Sequence, residues 1–175
     1  MGFWLMAWRK AGYNTLGSAN SNITVSSMSD NTFLTIITNT LGHSSAIDPS
    51  FRFNLSDTQS SAYATRYNHN GTEGTNLVSQ SLGRLGIGTT SLTPYFSVSY
   101  TVNKSGKEKL NISNLVDQNT AGSGTAPNRS ETVTKWTQSD VVDEVNIYTG
   151  SATTWVSDSN VSVIGSDGAT STKLQ

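Results

Sequence analysis

The stretch SFRFNLSDTQSSAYATRYNHNGT, residues 50–72, decides the fold class of this chain. Phe51 and Phe53 alternate with polar neighbours, which is the two-residue period of a strand with one buried face. The run Tyr63–Tyr67 repeats that period after a polar turn, and the pair Asn70–Gly71 that follows is the strongest short turn signal. The stretch therefore predicts two aromatic core strands paired as a hairpin, and nothing in it indicates catalytic chemistry.

The composition of the whole chain extends this prediction to an all-β protein. Ser, Thr and Asn make up more than a third of the 175 residues, whereas charged residues reach only 13%. Helix surfaces usually need Glu, Lys, Arg, Gln and Ala, in which this chain is poor, while Thr, Val, Ile and aromatic residues favour strands. About ten short strands, with turn signals every 8–12 residues, predict an antiparallel β-sandwich that is jelly-roll-like.

Alternation also predicts which side chains form the core. The clearest run spans residues 95–102, where apolar side chains alternate with mostly small polar ones. Because the burial of apolar area drives folding, its apolar members are expected to point inward and Tyr95, Ser97, Ser99 and Thr101 outward. The apolar members of this run are Phe96, Val98, Tyr100 and Val102. The predicted buried set is Phe51, Phe53, Phe96, Val98, Tyr100, Val145, Ile147, Val161 and Val163.

The chain has the size of one domain, and residues 8–165 are expected to form the β-sandwich. Residues 1–7 are predicted to be an N-terminal arm, and residues 166–175 a polar C-terminal tail. At the arm lies an apolar cluster that is the candidate interface of the protein: Trp4, Leu5, Met6 and Trp8. A Trp buries about 200 Å² or more, so two exposed Trp side chains favour contact with a neighbouring subunit or another protein. The alternative is that the arm folds back and closes one end of its own sandwich.

Charge and cysteine usage exclude several classes of partner. The formal net charge is −1, so the chain has no basic field to attract nucleic acid or an anionic membrane surface. The apolar start, residues 1–8, is too short to span a bilayer. The chain contains no cysteine, which excludes disulfides and thiolate metal sites. We therefore expect neither nucleic acid nor membrane among its partners.

The two histidines do not form a recognisable metal or catalytic site. His43 and His69 lie in polar segments, each near a single carboxylate in sequence, Asp48 and Glu73 respectively. Metal ligation and acid–base catalysis need a larger cluster of such groups, and chance places two histidines beside carboxylates often. The sequence therefore predicts no metal site.

Two further patterns have a structural explanation rather than a chemical one. Asp143 and Glu144 are neighbours on a predicted strand, so their carboxylates point to opposite faces and cannot act as a glycosidase pair. The Gly-rich segment 83–88 is not followed by the helix that a phosphate-binding loop requires, and strand-terminal turns account for it. The sequence thus predicts no catalytic residues and no cofactor, and a protein that is not an enzyme.

Several aromatic side chains leave a second kind of function open. They could line a sugar-binding face, but Trp and Tyr occur equally in cores and subunit interfaces. An exposed row of aromatic side chains on one sheet would favour a carbohydrate-binding module, whereas aromatics buried between subunits would favour a structural protein. The aromatic residues in question are Trp4, Trp8, Tyr95, Trp136, Tyr148 and Trp155.

In addition to these patterns, the chain resembles a family of small virion structural proteins of tailed bacteriophages. The resemblance covers nearly the whole chain, and the additional MGFWL at the start is its one departure. The segments that carry it are Met6–Lys10, Phe51–Asn54, Tyr63–Tyr67, Lys107–Leu110 with Ile112, Asn119–Pro127 with Arg129, Glu131 and Lys135–Trp136, and Val161–Gly165.

This resemblance implies a β-sandwich that works as part of a virus particle. It implies a virion location, from which we expect a homo-oligomer that assembles with other virion proteins such as the major capsid protein or tail proteins. A capsid decoration, or cement, subunit is the first expectation; a tail or fibre component and a carbohydrate-binding sandwich are the alternatives. The family supplies no catalytic residues.

Overall fold

A computed structural model of the chain describes residues 8–55, 60–88, 93–149 and 153–167. These residues form an all-β structure, and none of them lies in a helix, so no helix among them is long and apolar enough to cross a membrane. The predicted arm, residues 1–7, lies outside the described residues, and so does the predicted tail from residue 168 onward.

Most strands belong to one large antiparallel sheet. Its order is β1-β13-β3-β9-β10-β11-β5-β6, and β7 also pairs with β5, which makes nine strands. The strands of this sheet are β1 (Arg9–Thr15), β3 (Phe33–Thr40), β5 (Tyr63–His69), β6 (Thr72–Glu73), β7 (Leu77–Gln80), β9 (Tyr95–Val102), β10 (Lys109–Asp117), β11 (Asn128–Trp136) and β13 (Asn160–Ser166).

The remaining strands form a small antiparallel sheet that packs on one face of the large one. Its order is β2-β12-β4-β8, with strands β2 (Asn22–Val25), β4 (Ser50–Phe53), β8 (Gly83–Arg84) and β12 (Val145–Tyr148). The predicted antiparallel β-sandwich is therefore confirmed, with thirteen strands in the described residues and two sheets of very unequal size.

The predicted hairpin of the Phe51 and Tyr63 strands is wrong. β4 belongs to the small sheet and β5 to the large one, so the two strands face each other across the interior. The Phe53 N–H donates a hydrogen bond to Tyr63 Oη at 2.8 Å, and the Phe51 and Tyr63 rings meet edge to face with centroids 5.9 Å apart. Stacked sheets lie about 10 Å apart, a distance that the ten-residue separation of Phe53 and Tyr63 easily crosses. The stretch joins the two sheets rather than two neighbouring strands.

Aromatic side chains fill the space between the sheets near this crossing. The Trp136 ring stacks on Tyr63 with centroids 6.4 Å apart and meets the Phe53 ring at 5.5 Å. At another place in the core the Trp155 ring meets the Tyr95 ring at 5.5 Å. Six of the predicted core residues are confirmed as fully buried: Phe51, Phe53, Val145, Ile147, Val161 and Val163.

The Asn-Gly turn is also confirmed. His69 and Thr72 pair as the last residues of β5 and the first of β6, so Asn70 and Gly71 alone make the turn. Their φ angles are 49° and 87°. Two successive positive φ values are the geometry of the type I′ turn that Asn-Gly favours.

Irregular pairing occurs at both edges of the large sheet. The register of β1 against β13 shifts between Lys10 and Gly12, and that of β7 against β5 shifts between Tyr63 and Thr65. β6, the other edge strand, has only two residues. Beyond β13, Arg9 forms an ion pair with Asp167 at 3.2 Å.

Candidate functional site

The most unusual feature of the described residues is an exposed apolar surface on the large sheet. It lies on the face opposite the small sheet and spans β3, β9, β10 and β11. Each of its members is at least 36% exposed. We call this surface the outer face, and it consists of Phe33, Phe96, Tyr100, Val102, Leu110, Ile112, Val116 and Val133.

Strand register makes the outer face continuous. Ile112 on β10 lies opposite Tyr100 on β9 and opposite Val133 on β11. The same register places Val116 beside Phe96. Directly opposed side chains in antiparallel strands lie about 5 Å apart, so these residues form one patch rather than scattered apolar positions.

The exposed area of this patch is large for a protein surface. Tyr100 is 53% exposed, Leu110 60% and Ile112 54%. Summed over its eight members, with about 150–250 Å² for each aromatic side chain and somewhat less for each aliphatic one, the outer face offers roughly 700 Å² of apolar area. The largest patch on a typical monomer is about 300–600 Å² and is often functional. The outer face therefore indicates an interaction surface.

A groove extends the outer face toward one edge of the sheet. It has a volume of about 430 Å³ and runs between β7 and the two long strands β10 and β11. Its lining contains two charged side chains, Arg66 and Lys135, and the apolar residues Ala64, Leu77, Val78, Leu110, Ile112 and Val133. The groove gives an otherwise flat sheet surface a depression that could receive a protruding side chain.

The outer face overturns the predicted orientation of residues 95–102. Phe96 and Tyr100 are 46% and 53% exposed, Val102 is 45% exposed and Val98 is half-buried. The inner face of β9 instead carries Tyr95, Ser97, Ser99 and Thr101, all of them buried. The predicted alternation of residues 95–102 is confirmed, but the prediction that the apolar side chains point inward is wrong.

Hydrogen bonds between inner side chains explain how small polar residues can occupy the interior. Ser99 Oγ donates to Ser113 Oγ at 2.9 Å, and Asn111 Nδ2 donates to Thr101 Oγ1 at 2.8 Å. Ser113 Oγ also donates to the Leu85 carbonyl oxygen at 3.1 Å. Such bonds satisfy groups that would be costly to bury alone, whereas Ser97 Oγ and Tyr95 Oη on the same face of β9 have no hydrogen-bond partner among the described residues.

The volume inside these strands is filled from other elements. Leu85, which follows β8, is fully buried, and Trp155 packs on Tyr95. A Cβ on Gly86 would lie 2.9 Å from Leu115, and one on Gly83 only 2.3 Å from the Phe51 ring. The glycines of segment 83–88 thus permit close packing over β10 and β11, where Ser113 and Thr132 donate to the Leu85 and Arg84 carbonyl oxygens.

Charged residues lie along one border of the outer face and not in its middle. The outward positions of β9 and β10 carry no charged residue. On the β11 side, Lys135 pairs with Glu108 at 3.5 Å, and Arg66 pairs with Glu73 at 3.7 Å. Exposed pairs of this kind contribute little to stability. Their effect is to bound the apolar surface with solvated polar groups.

The structure buries His43, which the sequence placed in a polar segment. Its ring lies against Trp155, with centroids 5.9 Å apart, and Nδ1 is 2.7 Å from the Ser45 carbonyl oxygen. Burial lowers the pKa of His43, and the hydrogen bond to Ser45 and the negative charge of Asp117 offset this only partly. His43 is therefore a neutral packing residue. Because the Ser45 carbonyl oxygen can only accept a hydrogen bond, Nδ1 carries the proton.

His69 and Glu144 take part in local hydrogen bonds. His69 Nδ1 lies 3.0 Å from Ser130 Oγ. Glu144 Oε1 accepts a hydrogen bond from the Leu55 N–H at 3.0 Å. Within residues 8–55, 60–88, 93–149 and 153–167, no three His, Asp or Glu side chains come together in a way that could hold a metal ion.

The aromatic residues considered for sugar binding are mostly in the core. Tyr95, Trp136 and Trp155 are at most 2% exposed. The Tyr148 ring is covered by the Arg52 guanidinium, 4.4 Å from its centroid. The outer face exposes three other aromatic side chains, Phe33, Phe96 and Tyr100, of which the sequence predicted Phe96 and Tyr100 to be buried. Thr35 lies opposite Tyr100 and Asn39 opposite Phe96, so two of these rings have a hydrogen-bonding neighbour, and a carbohydrate-binding module stays an alternative.

The predicted interface at the N-terminal arm is described only at its last residue. Trp8 is 52% exposed, whereas Trp4, Leu5 and Met6 lie outside the described residues. The arm therefore stays a prediction. The outer face is a second and larger apolar surface that sequence reasoning missed because it assigned those side chains to the core.

Comparison of the chain with models of protein families, with curated protein sequences and with solved structures gave no match. The function proposed below therefore depends on the geometry of the outer face and on the sequence resemblance already described.

Proposed function

We propose that this chain is a virion structural protein of a tailed bacteriophage that assembles on the particle as a capsid decoration subunit. The observation that carries this proposal is the outer face, about 700 Å² of exposed apolar side chains on one sheet. A surface of that size is costly to leave in water and is typical of proteins that bind other proteins. A tail or fibre subunit is the alternative position on the same particle.

The mechanism is binding rather than catalysis. A subunit that binds the assembled shell and not its separate parts stabilises the shell by its own binding free energy. The composition suits this work, because a net charge of −1 produces little repulsion between densely packed copies. The buried histidine and the structural glycines of segment 83–88 also have packing roles, which leaves surface contacts as the means of action.

The segments that carry the family resemblance support this proposal in two ways. Phe51–Asn54 and Tyr63–Tyr67 supply the aromatic contact between the sheets, so the resemblance includes the elements that build the sandwich. Residues 120–127, by contrast, are exposed throughout and form the loop between β10 and β11. We propose this loop and the N-terminal arm as further places where the subunit contacts the particle.

Immunogold electron microscopy tests the proposal. Antibodies raised against the recombinant chain are applied to particles purified from a lysate of the phage that encodes it. Gold over the capsid is the expected result, and gold confined to the tail would move the subunit to the alternative position. If the chain is abundant in the lysate but no particle is labelled or contains it by mass spectrometry, the virion function is rejected.

A truncation tests the N-terminal arm separately. Deletion of residues 1–7 should leave a folded β-sandwich, as judged by its circular dichroism and cooperative melting, that attaches to particles less well. If the truncated chain instead unfolds while the full chain is monomeric in solution, the arm belongs to the core of its own subunit.

A further inference from the structure

We infer that the outer face is occupied by a second copy of this chain, packed sheet against sheet about a two-fold axis. This inference rests on the proposed assembly function and deepens it, because it names the partner of the same surface.

The first argument is area. The outer face exposes roughly 700 Å² on one copy, so two copies would bury about 1,400 Å² in total. Stable interfaces of standard size bury about 1,200–2,000 Å², or about 800 Å² per partner. The area of the outer face therefore suffices for a dimer without any contribution from residues outside it.

The second argument is the distribution of charge. The centre of the surface, on β9 and β10, carries no charged side chain, and charges occur only toward β11 as Arg129, Glu131 and Lys135. A two-fold axis places a surface against itself, so like charges at its centre would repel. A charge-free centre with an alternating border suits self-association, and homodimer interfaces are more apolar than others. The net charge of −1 adds almost no repulsion between whole subunits.

The third argument is shape. The four strands involved contain eight or nine residues each, and such long antiparallel strands give a broad, regular surface. Sheets of this kind pack face to face at about 10 Å with interdigitating side chains. Large side chains such as Phe96, Tyr100 and Leu110 alternate with smaller ones such as Val98 and Val102. The groove beside Leu110 and Ile112 adds space for a side chain from the other copy.

Sedimentation velocity of the full chain over a concentration series tests the inference. The expected species has twice the monomer mass of 18.7 kDa. Ile112→Glu places a carboxylate at the centre of the outer face, where it appears twice in the dimer, and should weaken dimerisation at least 100-fold. The matched control is Leu55→Glu, the same kind of change at an apolar side chain that is 37% exposed and follows β4 of the small sheet, away from the outer face. This control should leave dimerisation unchanged.

The state of the wild-type chain decides the outcome even if a variant folds poorly. A wild-type chain that stays monomeric at its highest soluble concentration overturns the inference, as does a dimer unchanged by Ile112→Glu in a variant whose melting is cooperative. Binding of the monomer to neutral phosphatidylcholine vesicles, lost in Ile112→Glu, would also overturn it in favour of a lipid surface.

The two proposals fail in different ways. A monomeric chain that labels particles and loses attachment in Ile112→Glu would mean that a different virion protein covers the outer face. In that case the inference fails and the proposed function stands. A dimer that Ile112→Glu dissociates, from a chain absent from particles, would leave the inference standing and reject the virion function.

Discussion

Replacing two phenylalanines, Phe53 and Phe96, tests the inverted orientation of β9 most directly. Phe53 is 1% exposed, so Phe53→Ala removes a fully buried ring and leaves a closed cavity, which typically costs about 3–5 kcal/mol. Phe96 is 46% exposed. Truncation to Ala there loses only about 50 Å² of buried apolar area and opens no closed cavity, which at about 25 cal/mol per Å² is roughly 1–1.5 kcal/mol.

Urea unfolding of both variants, at a concentration where the chain is monomeric, measures the difference. With an m-value of about 2 kcal/mol per M, Phe53→Ala should lower the midpoint by about 1.5–2.5 M and Phe96→Ala by about 0.5–0.7 M. Leucine replacements at both positions serve as controls for loss of the aromatic ring alone. Equal losses for the two alanine variants, or a larger loss for Phe96→Ala, would refute the outward orientation of β9.

Three further predictions concern single buried groups. Because burial lowers the pKa of His43 below its ordinary 6.5, the unfolded chain binds a proton first as the pH falls. The free energy of unfolding should therefore decrease below about pH 6.5, by up to about 1.4 kcal/mol per pH unit. Urea titrations at several pH values measure this slope, and His43→Gln should remove it. The buried Lys109 Nζ donates hydrogen bonds to three backbone carbonyl groups. Lys109→Met leaves these carbonyl groups without their donor, so it should lower stability by about 2–3 kcal/mol although it removes a buried charge. An unchanged melting temperature would contradict this. A Cβ on Gly165 would lie 2.3 Å from the buried Asn31 side chain, so Gly165→Ala should lower stability by about 1–3 kcal/mol. A Cβ on Gly17 would meet nothing within 4 Å, so the control Gly17→Ala should change stability by no more than about 0.5 kcal/mol. Equal melting temperatures for the two variants would show that Asn31 moves aside freely.

The sequence predicted the parts of the fold that depend on local pattern. The period of two identified strands at Phe51 and Tyr63, and Asn70–Gly71 fixed a tight turn whose positive φ angles the structure shows. The partners of those strands could not be read in this way. Whether β4 pairs with β5 or with β12 depends on contacts nearly a hundred residues apart, such as Phe51 opposite Ile147, which no local pattern encodes.

The candidate site was missed for a related reason. Alternation separates the two faces of a strand but does not say which face is inside, and the usual assumption assigns the apolar one inward. In β9 that assumption fails because Ser99 Oγ donates to Ser113 Oγ on the neighbouring strand, and because the buried Leu85, from a distant segment, lies against Ser113. The sequence contains one further signal: in the next strand Leu110, Ile112 and Val116 also alternate with residues that are mostly polar.

The irregular edges of the large sheet have a consequence for how many copies can join. A long, regular edge strand can recruit the edge of the next molecule by backbone hydrogen bonds, and such contacts propagate into filaments without limit. Here the bulge between Lys10 and Gly12 interrupts one edge, and the two-residue β6 shortens the other. These irregularities disfavour growth by lateral strand addition, whereas the proposed contact through the outer face would end once two faces are covered. A chain with such edges would join its copies through a sheet face rather than through an edge, and a pair of facing sheets is finite.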